Sequence, residues 1–265
     1  MIKQVLKVKI YQPDAHYRIP FSFQRRFTYP IPPFSTVKGL ICNIIGIRDD
    51  NDTRLNKIRD GLSLAIYGRY ETLVKEYTWF RNLEKDSHKN RFHTAENRHL
   101  DGVPQHPGGQ IPVTVDVLHN VNLLIYFYHP DNKFLQDIKN AFQNPSDRSS
   151  ILHLGRAEDW LVINEIKLVE LKRKFARQIP YFAWIPARDF VDNSFIVEAY
   201  EDFFNSLDGN LFRLPTFYDI SNNQRIFNDY VNVKLHEGGS FKRYVFFVDE
   251  SENDLPIILS KLRGS

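Results

Sequence analysis

The chain has 265 residues, 42% of them hydrophobic and 14% aromatic, which is enough to bury a substantial core without covalent crosslinks. Its single cysteine, Cys42, excludes an internal disulfide and the cysteine-based zinc patterns, and it favours a reducing, cytoplasmic setting. The net charge of +3 is too small to indicate a nucleic-acid partner by itself, and since no uncharged apolar run reaches about 18 residues, we expect neither export nor a membrane span.

The first element is a predicted strand. Residues 2–11 alternate between apolar and polar side chains, which is the period of a strand that is buried on one face. The inward face carries Gln4, Leu6, Val8 and Ile10. The other face carries three lysines and is expected to meet solvent.

The next element is predicted as a helix. Prolines within residues 29–33 force an extended backbone, and Ser35 or Thr36 then stands at the N-cap position. Gly46 follows where a left-handed residue closes a helix. One apolar stripe runs between these ends and consists of Val37, Leu40, Ile41, Ile44 and Ile45. The spacing therefore predicts a helix that ends before Gly46 and buries one face.

The remaining pattern completes an α+β order. Strands are predicted at 62–67, at 113–128 and near 162–171, and a second amphipathic helix within 134–142 ends before Pro145. The order β-α-β-β-α-β is that of a ferredoxin-like or RRM-like domain, in which both helices cover one face of an antiparallel sheet. The other face of the sheet is then expected to be free for RNA.

Two further segments extend this domain. Residues 72–112 are too long for a compact connection, so we interpret them as a protruding hairpin or loop of functional interest. Two strand patterns, 230–236 and 241–248, flank a glycine pair and predict a second hairpin. We therefore expect a first domain at 1–174, which includes the insertion, and a C-terminal β-rich subdomain at 175–265.

The start of the first helix, PIPPFSTVKGL at residues 30–40, carries two unfavourable residues. Lys38 opposes the positive end of the helix dipole unless an anion binds there, so it either contacts a phosphate or only extends to solvent. Gly39 costs roughly 1 kcal/mol relative to alanine in a helix interior. Either another backbone approaches the helix closely at Gly39, or the helix packs on the sheet there. The sequence alone does not decide between the two interpretations of Lys38 or between the two interpretations of Gly39.

Two motifs carry a resemblance to a known family. The first, PIPPFSTVKGLICNIIG at 30–46, resembles the N-terminal motif of the fifth-numbered CRISPR-associated (Cas) protein family of the RAMP superfamily, in the form seen in type I-B-like Cascade subunits. The second, HLGRAED at 153–159, matches a motif that follows the second helix in that family. The resemblance extends over most of the chain, because strand one, the insertion and the C-terminal β part follow the family's order.

The resemblance implies a modified RRM-like (RAMP) domain whose insertion forms a thumb β-hairpin. It implies a non-catalytic Cascade subunit that binds the 5′ handle of crRNA and caps the backbone filament, in support of RNA-guided antiviral DNA interference. The implied partners are the crRNA, the seventh-numbered backbone Cas subunits, the large Cascade subunit and, indirectly, target DNA. Carried over from the two motifs, the candidate RNA contacts are Ser35, Thr36, Lys38, Gly155 and Arg156.

Charge and aromatic content add further candidates. Arg25 and Arg26 lie just upstream of the first motif. The insertion is rich in groups that stack on bases and neutralise phosphates. The candidates there are Trp79, Arg81, Lys85, His88, Lys89, Arg91, His93 and Arg98.

The residues also bear on three other functions: a zinc site, a ribonuclease and a protein scaffold. A zinc site is not expected, because the insertion histidines His88, His93, His99 and His106 match no ligand spacing, and we expect no cofactor. A metal-independent endoribonuclease that processes pre-crRNA is the alternative, since one branch of the resembled family cleaves RNA with a tyrosine, a histidine and a lysine. No motif aligns such a set here, so Tyr17, His16 and Lys38 are guesses and no catalytic residue is assigned. A pure protein scaffold would leave the basic insertion unexplained.

Overall fold

The computed structural model describes residues 3–20, 22, 24–49, 51–82, 99–100, 103–104, 109–221 and 224–263, and it describes only the backbone within 81–110 and 220–225. Its helices are α1 Phe34–Ile44, α2 Thr53–Gly61, α3 Asn132–Gln143 and α4 Tyr200–Ser206, with short 3-10 turns at Arg188–Phe190 and Glu250–Glu252. No helix in the described part of the chain is long and apolar enough to cross a membrane.

Strands make up most of the structure. They are β1 Lys3–Ala15, β2 Tyr17–Arg18, β3 Arg25–Arg26, β4 Thr28–Tyr29, β5 Ser63–Arg69, β6 Thr72–Asn82, β7 His99–Leu100, β8 Val103–Pro104, β9 Gly109–Tyr128, β10 Val162–Pro186, β11 Leu211–Ser221, β12 Gln224–Asp249, β13 Leu255–Pro256 and β14 Ser260–Lys261. Ten of them form one sheet with the path β11-β12-β10-β1-β9-β5-β14. The fold is therefore mixed α/β with few helices and a sheet-rich body.

In the central order β10-β1-β9-β5 each strand is antiparallel to its neighbours, and the strands are linked through α1 and α3. Both helices pack on the face of the sheet that carries Leu6, Val8 and Ile10. The apolar stripe predicted for α1 is buried, as are Phe134, Leu135, Ile138 and Phe142 of α3. The predicted element order is confirmed in this part of the chain, and α2 is an addition that the sequence patterns did not predict.

The ends of α1 confirm one prediction and correct another. Gly46 has φ +74°, the left-handed conformation predicted for the residue that closes the helix. The N-cap is Pro33, not Ser35 or Thr36, because the Pro33 carbonyl accepts the Thr36 and Val37 amides and the helix begins directly after the last proline. Ser35 and Thr36 therefore lie inside the first turn of the helix.

The opposite face of the sheet is covered, so the expectation of a free face was wrong. Val5, Ala65 and Tyr67 point to this face and pack against a second core that includes residues from 191–207 and 255–259. Lys7 is buried on the same face, where its ammonium contacts Glu165, Asp249 and Glu252. An apolar face of this size must be buried, and the C-terminal part of the chain buries it.

The C-terminal strands differ from the prediction in one respect. β12 runs without a turn through the glycine pair, so the predicted hairpin of 230–236 and 241–248 was wrong. Gly238 and Gly239 have φ +89° and +144° and lie opposite an irregularity in β10, where the pairing register shifts. The glycines thus permit a bulge between two long strands, and β12 pairs instead with β10 and β11.

The long strand β10 joins the two halves of the chain. Its first half pairs with β1 and its second half pairs with β12. The expected boundary between residues 174 and 175 falls inside this strand, so both proposed domains contribute to one sheet. The indole of Trp184, late in β10, donates a hydrogen bond of 2.9 Å to the Pro32 carbonyl and so fixes the proline-rich entry to α1.

The insertion begins and ends as an antiparallel ladder. β6 pairs with the first half of β9, from Thr72 opposite His119 to Asn82 opposite Gly109. The β6 side chains from Thr72 to Phe80 are exposed to solvent. β6 therefore extends away from the core, and its aromatic side chains are available at the surface.

Candidate nucleic-acid interface

The second motif, HLGRAED, forms a loop around the buried carboxylate of Asp159. That carboxylate accepts the His16 amide at 2.9 Å, the Arg156 amide at 2.7 Å and the Arg156 guanidinium at 2.8 and 3.0 Å. Gly155 has φ +116°, and an added Cβ would lie 2.6 Å from Asp159 Oδ2. Only glycine fits this loop, which ties the motif to the end of β1.

A first cleft, named here the arginine cleft, lies between this loop, α1 and the insertion strand β6. Its volume is 740 Å³. Three arginines, Arg18, Arg26 and Arg156, line it together with two glutamates, Glu76 and Glu158. The other lining residues are His16, Tyr17, Thr36, Thr78, Trp79, Phe80, Val115 and Gly155. Basic and aromatic side chains from four separate segments of the chain thus meet at one place.

The arginines of this cleft are held in different ways. The Arg26 guanidinium lies 3.6 Å from the centre of the Phe80 ring, which is a cation–π contact. The pKa of Arg26 is lowered mainly by burial and to a smaller extent by the nearby charge of Arg18. Burial alone would lower the pKa of Arg156, but its hydrogen bonds to Asp159 outweigh burial and raise it. Both arginines remain charged at neutral pH because a guanidinium loses its proton only near pH 12 or above. Arg156 is partly neutralised by Asp159, whereas Arg26 and Arg18 form no ion pair with any described residue.

His16 lies beside the cleft and has a defined tautomer. Its Nδ1 is 2.7 Å from the Asp116 carbonyl, which can only accept, so Nδ1 carries the proton. Nε2 is buried and has no hydrogen-bond partner among the described residues. Burial lowers the pKa of His16, the Asp116 carbonyl opposes that effect, and Arg156 adds to it. His16 is therefore neutral at pH 7.

A second cleft, named here the aromatic cleft, lies between α1 and the β11–β12 strands and has a volume of 470 Å³. Phe217, Tyr218 and Phe227 form one wall, and α1 forms the other. The Lys38 ammonium is 4.4 Å from the centre of the Phe217 ring and 5.1 Å from that of Tyr218. Thr36 and Gly155 line both clefts, so the two clefts are neighbours.

Gly39 faces open space in the aromatic cleft. An added Cβ at this position would meet no atom within 4 Å, and the residue is exposed. The reading that Gly39 lets the helix pack on the sheet was therefore wrong. No described part of the chain explains why α1 has a glycine here.

Five of the predicted contact residues meet in the arginine cleft: Arg26, Thr36, Trp79, Gly155 and Arg156. Ser35 and Lys38 lie in the aromatic cleft, and Lys38 is buried against the Phe217 ring rather than extended into solvent. Arg25 lines neither cleft and stacks on Phe27 at 4.6 Å. Only the backbone of Arg81 is described. The predicted contacts Lys85, His88, Lys89, Arg91, His93 and Arg98 lie outside the described residues.

Several lining residues were not among the predicted contacts. Phe80 could have been found, because it lies between the predicted contacts Trp79 and Arg81, whereas Arg18 is next to Tyr17 of the guessed ribonuclease set. Phe217, Tyr218 and Phe227 could not, because their strand pattern is that of ordinary core residues. The guessed set of Tyr17, His16 and Lys38 is not assembled, since the buried Tyr17 hydroxyl donates to Gln12 and Lys38 lies in the other cleft. Within the described residues, no three His, Cys, Asp or Glu side chains form a group that could hold a metal ion.

Comparisons with known proteins agree with this architecture. A chain of a structure described as "CRISPR RNA-guided surveillance complex" is similar over 89% of this chain and 90% of its own length, with a TM-score of 0.53 and 12% identity. A structure described as "Crystal structure of a CRISPR protein from Archaeoglobus fulgidus" is similar over 99% of this chain and 100% of its own, with a TM-score of 0.40 and 13% identity. The first likeness shows a shared fold, and the second is too distant to support a conclusion. No curated protein matches the chain.

Fold and clefts together define a mixed α/β, sheet-rich protein whose surface combines arginines with exposed aromatic rings. The family model described as CRISPR-associated protein (Cas_Cas5) matches residues 5–205, which is more than half of the chain. The chain belongs to this family, as the two sequence motifs predicted. The aromatic residues of β11 and β12 lie beyond the matched range.

Proposed function

We propose that this protein is a non-catalytic subunit of a CRISPR effector complex of the Cascade type that binds crRNA through the arginine cleft. In this proposal it holds the 5′ handle of the crRNA and caps the filament of seventh-numbered backbone subunits. The large subunit and, indirectly, target DNA complete its set of partners. Membership of the CRISPR-associated family supports a place in such a complex.

The observation that carries the proposal is the convergence on the arginine cleft. Arg18 and Arg26 come from the segment before α1, Arg156 from the second motif, and Trp79 with Phe80 from the insertion. Arginines bind RNA phosphates, and exposed aromatic rings stack on unpaired bases. A cleft that combines both is suited to single-stranded RNA.

The proposal also includes the type of domain, its subdivision and the CRISPR subtype. The central order β10-β1-β9-β5 with two helices on one face is that expected of a ferredoxin-like or RRM-like RAMP domain. Residues 72–112 would then be the thumb and 175–265 the C-terminal subdomain. We assign the chain to the type I-B-like branch on the form of its first motif, and we expect it to act in the cytoplasm.

One observation favours the alternative, a metal-independent endoribonuclease. His16 is neutral and has a lone pair on Nε2 without a partner, which is the state required of a general base toward a 2′-hydroxyl. The ring is buried, however, so substrate would have to open the cleft before it reached Nε2. For this reason binding without cleavage is the proposed function.

The test uses the purified protein with a labelled RNA of the CRISPR repeat sequence in EDTA, at low and moderate salt. We expect retardation without cleavage. The Arg26→Ala variant should bind more weakly, and the slope of log affinity against log salt should fall by about 1, because one phosphate contact is lost. Arg188→Gln is the matched control, because Arg188 is exposed and lines neither cleft.

Three outcomes separate the candidates. Binding that depends on Arg26 but not on Arg188 supports the proposed function. Cleavage of the RNA at one site in EDTA would show that the protein is a metal-independent ribonuclease. His16→Asn should then abolish the cleavage. Equal binding by all three proteins would show that the arginine cleft is not the RNA site.

A further inference from the structure

The aromatic cleft has the composition of a site for a single unpaired nucleotide. Tyr218 and Phe227 present half-buried rings whose centres are 5.6 Å apart, while Phe217 is buried beneath the cations Lys38 and Arg59. Aromatic rings of this kind stack on bases regardless of sequence. The 470 Å³ of the cleft falls within the range of small-molecule sites.

The charge of the cleft favours a phosphate. Lys38, Arg48 and Arg59 line it, and Asp49 is the acidic residue among the lining residues. The hydroxyl-bearing residue Ser35 lies in the first turn of α1, at the positive end of the helix dipole. These groups supply positive charge and hydrogen-bond donors, and two of the cations, Lys38 and Arg59, lie directly over the Phe217 ring.

Gly39 supplies an independent reason to place a ligand here. Glycine is the residue least suited to a helix interior apart from proline, and no described atom of the protein lies within 4 Å of its added Cβ. A chain that passes close to α1 would require the absence of a side chain at this position. The exposed glycine thus leaves room for a ligand backbone to approach the helix.

We propose that the aromatic cleft holds one unstacked nucleotide of the bound RNA, with its base on Tyr218 and its sugar–phosphate backbone passing over Gly39. This inference rests on the proposed function, because the RNA enters from the arginine cleft, which shares Thr36 and Gly155 with this one. The proposed stacking residues lie in β11 and β12, outside the range that the family model matches.

The experiment measures the affinity of a single-stranded repeat RNA in which each nucleotide in turn lacks its base. We expect one position at which base removal weakens wild-type binding about tenfold, because one stacking contact is lost. In Tyr218→Ala, base removal at that position should change the affinity less than about twofold, and Tyr218→Phe should restore the wild-type pattern. Phe175→Ala is the matched control, since Phe175 is 58% exposed and lines neither cleft.

A second variant tests the same cleft without removing a core contact. Gly39→Leu introduces a good helix former into open space, so the fold is kept while the passage over α1 is blocked. We expect Gly39→Leu to weaken binding of the intact RNA and to become insensitive to base removal at the same position. Thermal unfolding of each variant verifies that it is folded.

The outcomes distinguish this inference from the proposed function. If intact RNA binds wild type through Arg26, but no base position depends on Tyr218 and Gly39→Leu binds normally, the inference is overturned and the proposed function stands. If wild type binds no RNA, both are overturned. Dependence of a single base position on both Tyr218 and Gly39 supports both.

Discussion

The second-motif loop and the insertion strand β6 both contribute to the arginine cleft, but they are built in opposite ways. The loop is fixed by four hydrogen bonds to the buried carboxylate of Asp159. In β6, the side chains from Thr72 to Phe80 are exposed, and Trp79 is 53% exposed. One wall of the cleft is therefore held in place by buried contacts, and the other wall consists of exposed side chains.

The comparison separates residues that shape the cleft from residues that are free to contact a ligand. Asp159 largely explains why Gly155 and Arg156 are present. A larger residue than glycine would collide with the Asp159 carboxylate, and the Arg156 guanidinium forms an ion pair with it. No comparable structural role explains Trp79. A conspicuous motif can thus record the demands of the fold, while the less conspicuous strand supplies the aromatic contact that we propose for RNA.

The largest expected effect is on the loop. Asp159→Ala removes the acceptor of the His16 amide and of Arg156, so buried donors and a charge lose their partner, and the free energy of unfolding should fall by about 3 kcal/mol. Chemical denaturation measures the change. Glu158→Ala is the matched control, because its side chain is 66% exposed, and a loss of about 0.5 kcal/mol or less is expected. Equal losses in the two variants would show that the loop is not held by Asp159.

A smaller effect is expected at β6, and on binding rather than on stability. Trp79→Ala should leave the free energy of unfolding within about 0.5 kcal/mol of wild type, because the side chain is exposed. Affinity for the repeat RNA should fall about tenfold through the loss of one stacking surface.

Trp160 provides the control for Trp79. It has the same exposed fraction, 53%, and lines neither cleft. Trp160→Ala should therefore change RNA affinity by less than about twofold, since no stacking contact is expected from it. If both variants bind RNA as wild type does, the exposed wall takes no part in recognition and the comparison between the two walls fails.

The smallest effect is on pH dependence where the loop meets β1. Because burial lowers the pKa of His16 in the folded protein, the unfolded chain binds a proton more readily, and stability is lost as the pH falls through the ordinary histidine pKa of about 6.5. In His16→Asn this loss should be smaller between pH 7.5 and pH 5.5, as measured by urea unfolding. His236 also has a lowered pKa and contributes equally to both proteins. An unchanged pH profile would show that His16 is not coupled to folding.

Much of the fold could be predicted because its strongest elements have one buried face. The stripe of α1, its closing glycine Gly46 and the inward residues of α3 follow directly from a period of 3.6. The β1 pattern was only half informative, because Val5 and Lys7 on the supposed solvent face are also buried. Alternation detects one core, whereas this sheet lies between two.

Individual residues of the site could be predicted from the sequence, but their arrangement in one cleft could not. Arg26, Thr36, Trp79 and Arg156 were identified from residue type and motif, yet the sequence could not show that they line one cleft. Nor could it show that Lys38 lies against Phe217, because that contact depends on how β11 packs on α1.

The sequence by itself determined the family, the element order of the central sheet and the two motifs, because these depend on local patterns and turn chemistry. Only the tertiary structure decided that the second sheet face is closed, that β12 runs straight through its glycine pair and that the arginine and aromatic clefts adjoin at Thr36 and Gly155. The physical reason is that local periodicity records one buried face of an element, but does not record which distant strand pairs with it or which surfaces adjoin.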